Sequence, residues 1–115
     1  MESILVSIKK MLGIDESYTC FDVDILMHIN SAFTVLTQLG VGPADGYAIK
    51  DANDTWDAFL PAKPLQEFVK SYVFLKVKLI FDPPSSSAVL ESYKNSVSEL
   101  EWRIQVLNDP IETTS

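Results

Sequence analysis

Histidine, cysteine and paired carboxylates are the residues that could do chemistry in a chain of this size. Here they are few and scattered. The 115 residues include one histidine, His28, and one cysteine, Cys20. That pair is too small a set for a structural zinc site of the Cys/His kind. His28 falls at the border of an apolar helix face, where a lone imidazole reads as a structural residue. No serine lies in the strand-to-helix elbow that a Ser-His-Asp nucleophile needs. Cys20 reads as a small buried hydrophobe, and a single cysteine excludes an internal disulfide.

Phosphate and metal loops fare no better. Gly40-Val41-Gly42 lacks the third glycine of a dinucleotide fingerprint and opens a loop rather than a helix. Asp51-Ala52-Asn53-Asp54-Thr55 has the spacing of a calcium loop's first half. Trp56 stands where that loop requires glycine, and Ala62 where it requires the closing acid. No pair of carboxylates lies in the apolar context that raises a pKa. The expectation is no enzyme, no cofactor and no metal.

The elements that would have to position such residues are helical. Residues 65–107 dominate the chain as two long helices joined by Asp82-Pro83-Pro84-Ser85-Ser86-Ser87. Consecutive prolines lack N–H donors and clash with the preceding turn, so neither helix can run through them. Asp82 is driven out of the α region by the proline after it, and the serines supply N-cap oxygens for the second arm. The first arm, to Phe81, has no breaker and a proline, Pro64, at its start. Its polar stripe is Glu67, Lys70, Ser71 and Lys78, with Phe74 and Phe81 on the same side. Lys76 falls amid the opposite face of Leu65, Val69, Tyr72 and Leu79, which makes it the expected buried charge. In the second arm Val89, Leu90, Tyr93, Val97, Leu100, Ile104 and Leu107 form one stripe. Trp102 lies on the far side with Glu99 and Val106, and Glu99 and Arg103 have a favourable i, i+4 order.

Upstream, Ile4, Leu5, Ile8, Met11 and Leu12 predict a first helix stopped by Gly13. Thr19 and Asp22 fit a capping box for a second helix that runs to Leu39 and ends at Gly40. Residues 41–62 are irregular, with a turn at Gly42-Pro43-Ala44-Asp45-Gly46 and a short extended piece at Tyr47-Ala48-Ile49. Thr55 is placed to cap a single turn carrying Trp56 and Phe59. Long loops in small domains are usually functional, so Tyr47, Ile49, Trp56 and Phe59 are candidate contacts, with a lid on the core as the alternative. The expected fold class is mainly α. It is a small helical bundle with a long helical hairpin and one extended loop between the second and third long helices. Residues 1–109 make one helical domain, and 110–115 a flexible tail.

Net charge is −7. Between residues 15 and 61 the acids are Asp15, Glu16, Asp22, Asp24, Asp45, Asp51, Asp54 and Asp57, against Lys50 alone. Sequence-specific DNA binding needs a basic face, which this chain lacks. No apolar run is long enough to span a membrane, and no leader peptide is evident.

The run Tyr72-Val73-Phe74-Leu75-Lys76-Val77-Lys78-Leu79-Ile80-Phe81-Asp82-Pro83-Pro84, with Glu99-Leu100-Glu101-Trp102-Arg103 after it, resembles the small head–tail connector (adaptor) proteins of long-tailed bacteriophages. Ile8-Lys9-Lys10-Met11-Leu12-Gly13-Ile14-Asp15, Leu39-Gly40-Val41-Gly42-Pro43 and Thr55-Trp56 resemble the same pattern. The resemblance implies a structural virion protein, made in the bacterial cytoplasm and placed in the virion neck at the portal vertex. It implies a ring of identical copies, commonly a dodecamer, under the portal protein. That ring carries the stopper or tail-completion protein and lets double-stranded DNA through its lumen without sequence-specific binding. Phe74, Phe81, Glu99, Trp102, Arg103 and Val106 are the expected subunit or portal contacts. Another neck component, a helical regulatory module and a small carboxylate enzyme are the rival readings.

Overall fold

A computed structural model of the protein describes residues 3–43, 45–60 and 63–108. The expected tail at 110–115, and the loop's closing residues Pro61 and Ala62, lie outside them. Five helices follow in order: α1 (Ile4–Met11), α2 (Asp22–Gln38), α3 (Trp56–Phe59), α4 (Lys63–Phe81) and α5 (Ser87–Asn108). The described residues include no strand, only one isolated antiparallel bridge between Ser3 and Thr55. The mainly α class is therefore the observed one.

Local chemistry sets the helix ends. Ser3 caps α1 through its hydroxyl, which accepts from the Val6 N–H at 3.2 Å. After α1, Gly13 N–H donates to Lys10 O and Ile14 N–H to Lys9 O; after α2, Gly40 N–H donates to Thr37 O and Val41 N–H to Leu36 O. Both are Schellman closures. They need a left-handed residue, which Gly13 (φ +81°) and Gly40 (φ +84°) supply. The hydrophobic residue that follows, Ile14 or Val41, then folds back onto the core.

The start of α2 corrects the expected capping box. The N-cap residue is Phe21, without a side-chain cap bond, and the helix begins at Asp22. Asp22 is drawn instead to Lys9, whose Nζ lies 2.9 Å from its Oδ1. Lys9 also donates to the backbone oxygens of Glu16 (3.0 Å) and Tyr18 (2.8 Å). Its side chain is 2% exposed, so it is a buried ammonium held by three oxygens. Such a charge is tolerated inside only when it is satisfied in this way. Cys20, expected inside, is exposed on the connection that Lys9 ties down.

Helix α4 is the centre of the molecule. Both α2 and α5 pack along it, with α1 contributing from the side. Leu65, Val69, Tyr72, Val73 and Val77 are buried on it, which accounts for a sequence apolar nearly all round. From α2 come Ile25, Ile29, Ala32, Phe33 and Leu36; from α5, Ile104. The hairpin forms as expected: Ser86 Oγ accepts the Val89 N–H at the head of α5, and Lys78 pairs with Asp82 at the foot of α4.

The loop of residues 41–60 is folded onto α2. Phe33 gathers Phe59, Tyr47 and Trp56 with ring centroids at 4.6, 5.5 and 6.3 Å. The extended piece does not pair as a strand. Instead the Asn30 side-chain amide grips both backbone groups of Ile49, accepting its N–H at 2.8 Å and donating to its oxygen at 3.1 Å. Thr55 caps α3 through the Ala58 N–H.

Candidate assembly surface

The C-terminal end of the hairpin carries the site. Up to Ile104, α5 is seated on α4. Ile104 is fully buried, Val97 and Leu100 are packed against the core, and Glu101 accepts a hydrogen bond from the Tyr72 hydroxyl at 2.8 Å. Burial first, then this bond to a carboxylate, push the Tyr72 phenol far above its ordinary pKa. Around and beyond Ile104 the outer side of α5 is uncovered. Trp102 is 63% exposed, and Val106 and Leu107 are 42% and 45% exposed. With Phe68 of α4 and Arg103 they border an open cleft of about 300 Å³. Arg103 holds Glu99 through both Nε and an Nη, each at 2.9 Å, so the basic group at the rim is already oriented.

This constellation offers shape and apolar surface, and no reactive group. Among the described residues no three His, Cys, Asp or Glu side chains are placed to hold a metal ion. No helix there is long and apolar enough to cross a membrane. A large exposed indole beside an apolar cleft and an oriented guanidinium is the composition of an interface anchor.

The residues singled out from the sequence divide into three groups. Trp102, Arg103 and Val106 come together at the cleft, where Phe68 and Leu107 join them, and Glu99 stands behind Arg103 as its ion-pair partner. Phe81 does not. It sits at the other end of α4, with its ring 5.2 Å from that of Phe21. Phe74 is half-buried against the core. The loop residues turn inward: Ile49, Trp56 and Phe59 are at most 3% exposed and Tyr47 is partly buried. They cover the subunit's own core, because the Asn30 clamp and the Phe33 rings hold the loop there, and this displaces the outward-contact reading.

Lys76 is likewise not the buried charge. It is partly exposed, with its ammonium 5.9 Å from the centroid of the Tyr72 ring, near enough for a cation–π contact. A lysine can lie along an apolar face in this way because its stem is apolar and its head need not be enclosed. The buried charge is Lys9, which the sequence analysis missed. One signal was available: Lys9 lies only about 40° around the helix from the apolar position Leu5. Phe68 had a signal too, since it precedes the buried Tyr72 by one turn.

A family profile described as phage connector protein matches residues 4–110. The chain belongs to that family. As a phage connector it is a structural virion component. No curated protein and no solved structure matches it.

Proposed function

We propose that this connector forms a ring of identical subunits beneath the portal, joins the capsid to the tail, and continues the DNA channel. The observation that carries the reading is the uncovered end of α5. Trp102, Val106 and Leu107 remain exposed after every buried face of the subunit has been used. A monomer gains nothing by displaying an indole to water, whereas covering one contributes roughly 2–3 kcal/mol. The ring is commonly a dodecamer in connectors of this kind, with the stopper or tail-completion protein on its far side. A helical subunit without strands among its described residues supports the adaptor role over that of the β-richer neck components.

Acidic residues suit a conduit that must not hold DNA. Asp45 and Asp51 are exposed on the loop of residues 41–60, and in the proposed ring they face the lumen and repel the phosphate backbone. Electron microscopy of the protein mixed with its cognate portal tests the reading. Closed rings seated on the portal are expected. A protein that stays single at every concentration and ignores the portal overturns the assignment. A lumen lined by Lys70, Lys76 and Lys78 overturns the conduit.

A further inference from the structure

A second uncovered apolar surface lies on the far side of α4. Helices α2 and α5 each pack along α4 and scarcely touch one another. Tyr72 reaches α5 through Glu101, while Phe81 meets Phe21 at the start of α2. Those two α4 residues are nine positions apart, which places them about 180° apart around the helix. The outer faces of α2 and α5 therefore look in opposite directions. On α2 the outer face carries Val23 and Met27, one turn apart and 76% and 56% exposed. Each lies about 160° around the helix from the fully buried Ile25, so neither can reach its own core. Asp24, also exposed, flanks them.

We infer that this α2 ridge of one copy seats in the Trp102 cleft of the next. The shapes are complementary, a ridge of two apolar side chains against an open apolar cleft of about 300 Å³. Asp24 flanks the ridge and Arg103 stands at the rim of the cleft, where it would be shared between Asp24 and the Glu99 carboxylate it already holds. Because the two faces are unlike and point away from each other, every copy presents one of each. The contact is then heterologous, and it repeats from subunit to subunit. A stable pairwise interface buries roughly 800 Å² per partner, more than the two ridge side chains alone supply. An isolated pair is accordingly weak, and the assembly holds through closure. The inference rests on the ring reading above and assigns the residues of its subunit contact.

Cysteine cross-linking tests it, in a Cys20→Ser background that removes the exposed native thiol. One full-length preparation carries Met27→Cys and another Val106→Cys; they are mixed with portal and oxidised gently. A mixed disulfide dimer is expected, and a ladder of cross-linked chains when both substitutions share one chain. Rings that form without this cross-link, or with Val106→Cys chains joined only to each other, overturn the seating and leave the ring reading standing. Absence of rings in every mixture of the unsubstituted protein with portal overturns both. Independently, Met27→Glu is expected to weaken subunit association by at least about tenfold, the loss of a central anchor, with an unchanged thermal melt. Unchanged association overturns the inference.

Discussion

Trp56 donates its indole N–H to the Ser7 hydroxyl across 2.8 Å, and Ser7 in turn donates to the Ile4 oxygen. One buried hydroxyl thus ties the turn in the long loop to the first helix, 49 residues away in the chain. Ser7→Ala leaves the indole N–H buried without an acceptor. We expect a loss of about 1–3 kcal/mol, read from urea unfolding followed by tryptophan emission. A loss under 0.3 kcal/mol, on the order of a neutral surface change, would mean that the loop does not depend on this bond.

Lys9 should be the costliest polar residue to replace. Lys9→Met keeps the stem but abandons two backbone oxygens and the Asp22 carboxylate, whose Oδ1 is buried and accepts no hydrogen bond of good geometry. Breaking a buried ion pair costs about 3 kcal/mol or more, and Asp22, being partly exposed, places the change near that lower figure. Paired replacement by Lys9→Met and Asp22→Leu is expected to recover part of it. A double-mutant cycle measures the coupling.

Two glycines with nearly the same backbone provide an internal control. At Gly42 (φ +83°) an added Cβ would lie 2.4 Å from a Phe59 ring carbon, whereas at Gly13 (φ +81°) nothing lies within 4 Å. Gly13→Ala therefore incurs backbone strain alone, about 1 kcal/mol. Gly42→Ala adds displacement of a ring at the loop's centre, for about 2–4 kcal/mol in all. Equal denaturation midpoints for the two variants would refute the ring contact.

Alkaline pH should loosen the hairpin. The folded state raises the Tyr72 pKa, so the protonated phenol is the stabilised form. Its contribution is complete below the ordinary tyrosine value of about 10 and is lost as pH rises above it. Thermal melts between pH 8 and 11, a range chosen to span roughly that value, should fall more steeply for the natural protein than for Tyr72→Phe. Parallel curves would show that another group governs the alkaline limb.

Trp102→Ala should separate folding from assembly. The side chain is mostly exposed, so its removal is expected to change subunit stability by less than about 0.5 kcal/mol. Sedimentation with portal should show association weakened at least tenfold, on the order expected for an interface anchor. Matching losses in both measurements would return the indole to the subunit's own fold.

Most of this fold is legible in the residues because local rules and packing agree. Gly13 and Gly40 stop helices where left-handed backbone is needed, Pro83 and Pro84 break the hairpin, and Thr55 caps the turn it precedes. Other parts depend on partners distant in sequence. Whether Trp56 and Phe59 face a neighbour or their own core is decided by Phe33 and Asn30, which no periodicity connects to them. Thr19 does not cap α2, which begins only at Asp22 with Phe21 before it, and Asp22 pairs with Lys9. At the site, Trp102 and the Glu99–Arg103 pair follow from spacing along one helix, whereas Phe68 joins them only through the crossing of α4 and α5. The Val23–Met27 ridge lies opposite the buried Ile25 and Ile29, and its position relative to the Trp102 cleft depends on how α2 and α5 are set around α4.

The Asn30 clamp on Ile49 links two time courses that would otherwise be separate. An amide in an irregular segment ordinarily exchanges with solvent through small local openings, but this one is held by a side chain anchored on α2. Its deuterium uptake should therefore track that of the helix's own amides rather than of the exposed residues beside it. Matching uptake would mark the loop and the helix beneath it as one cooperative unit.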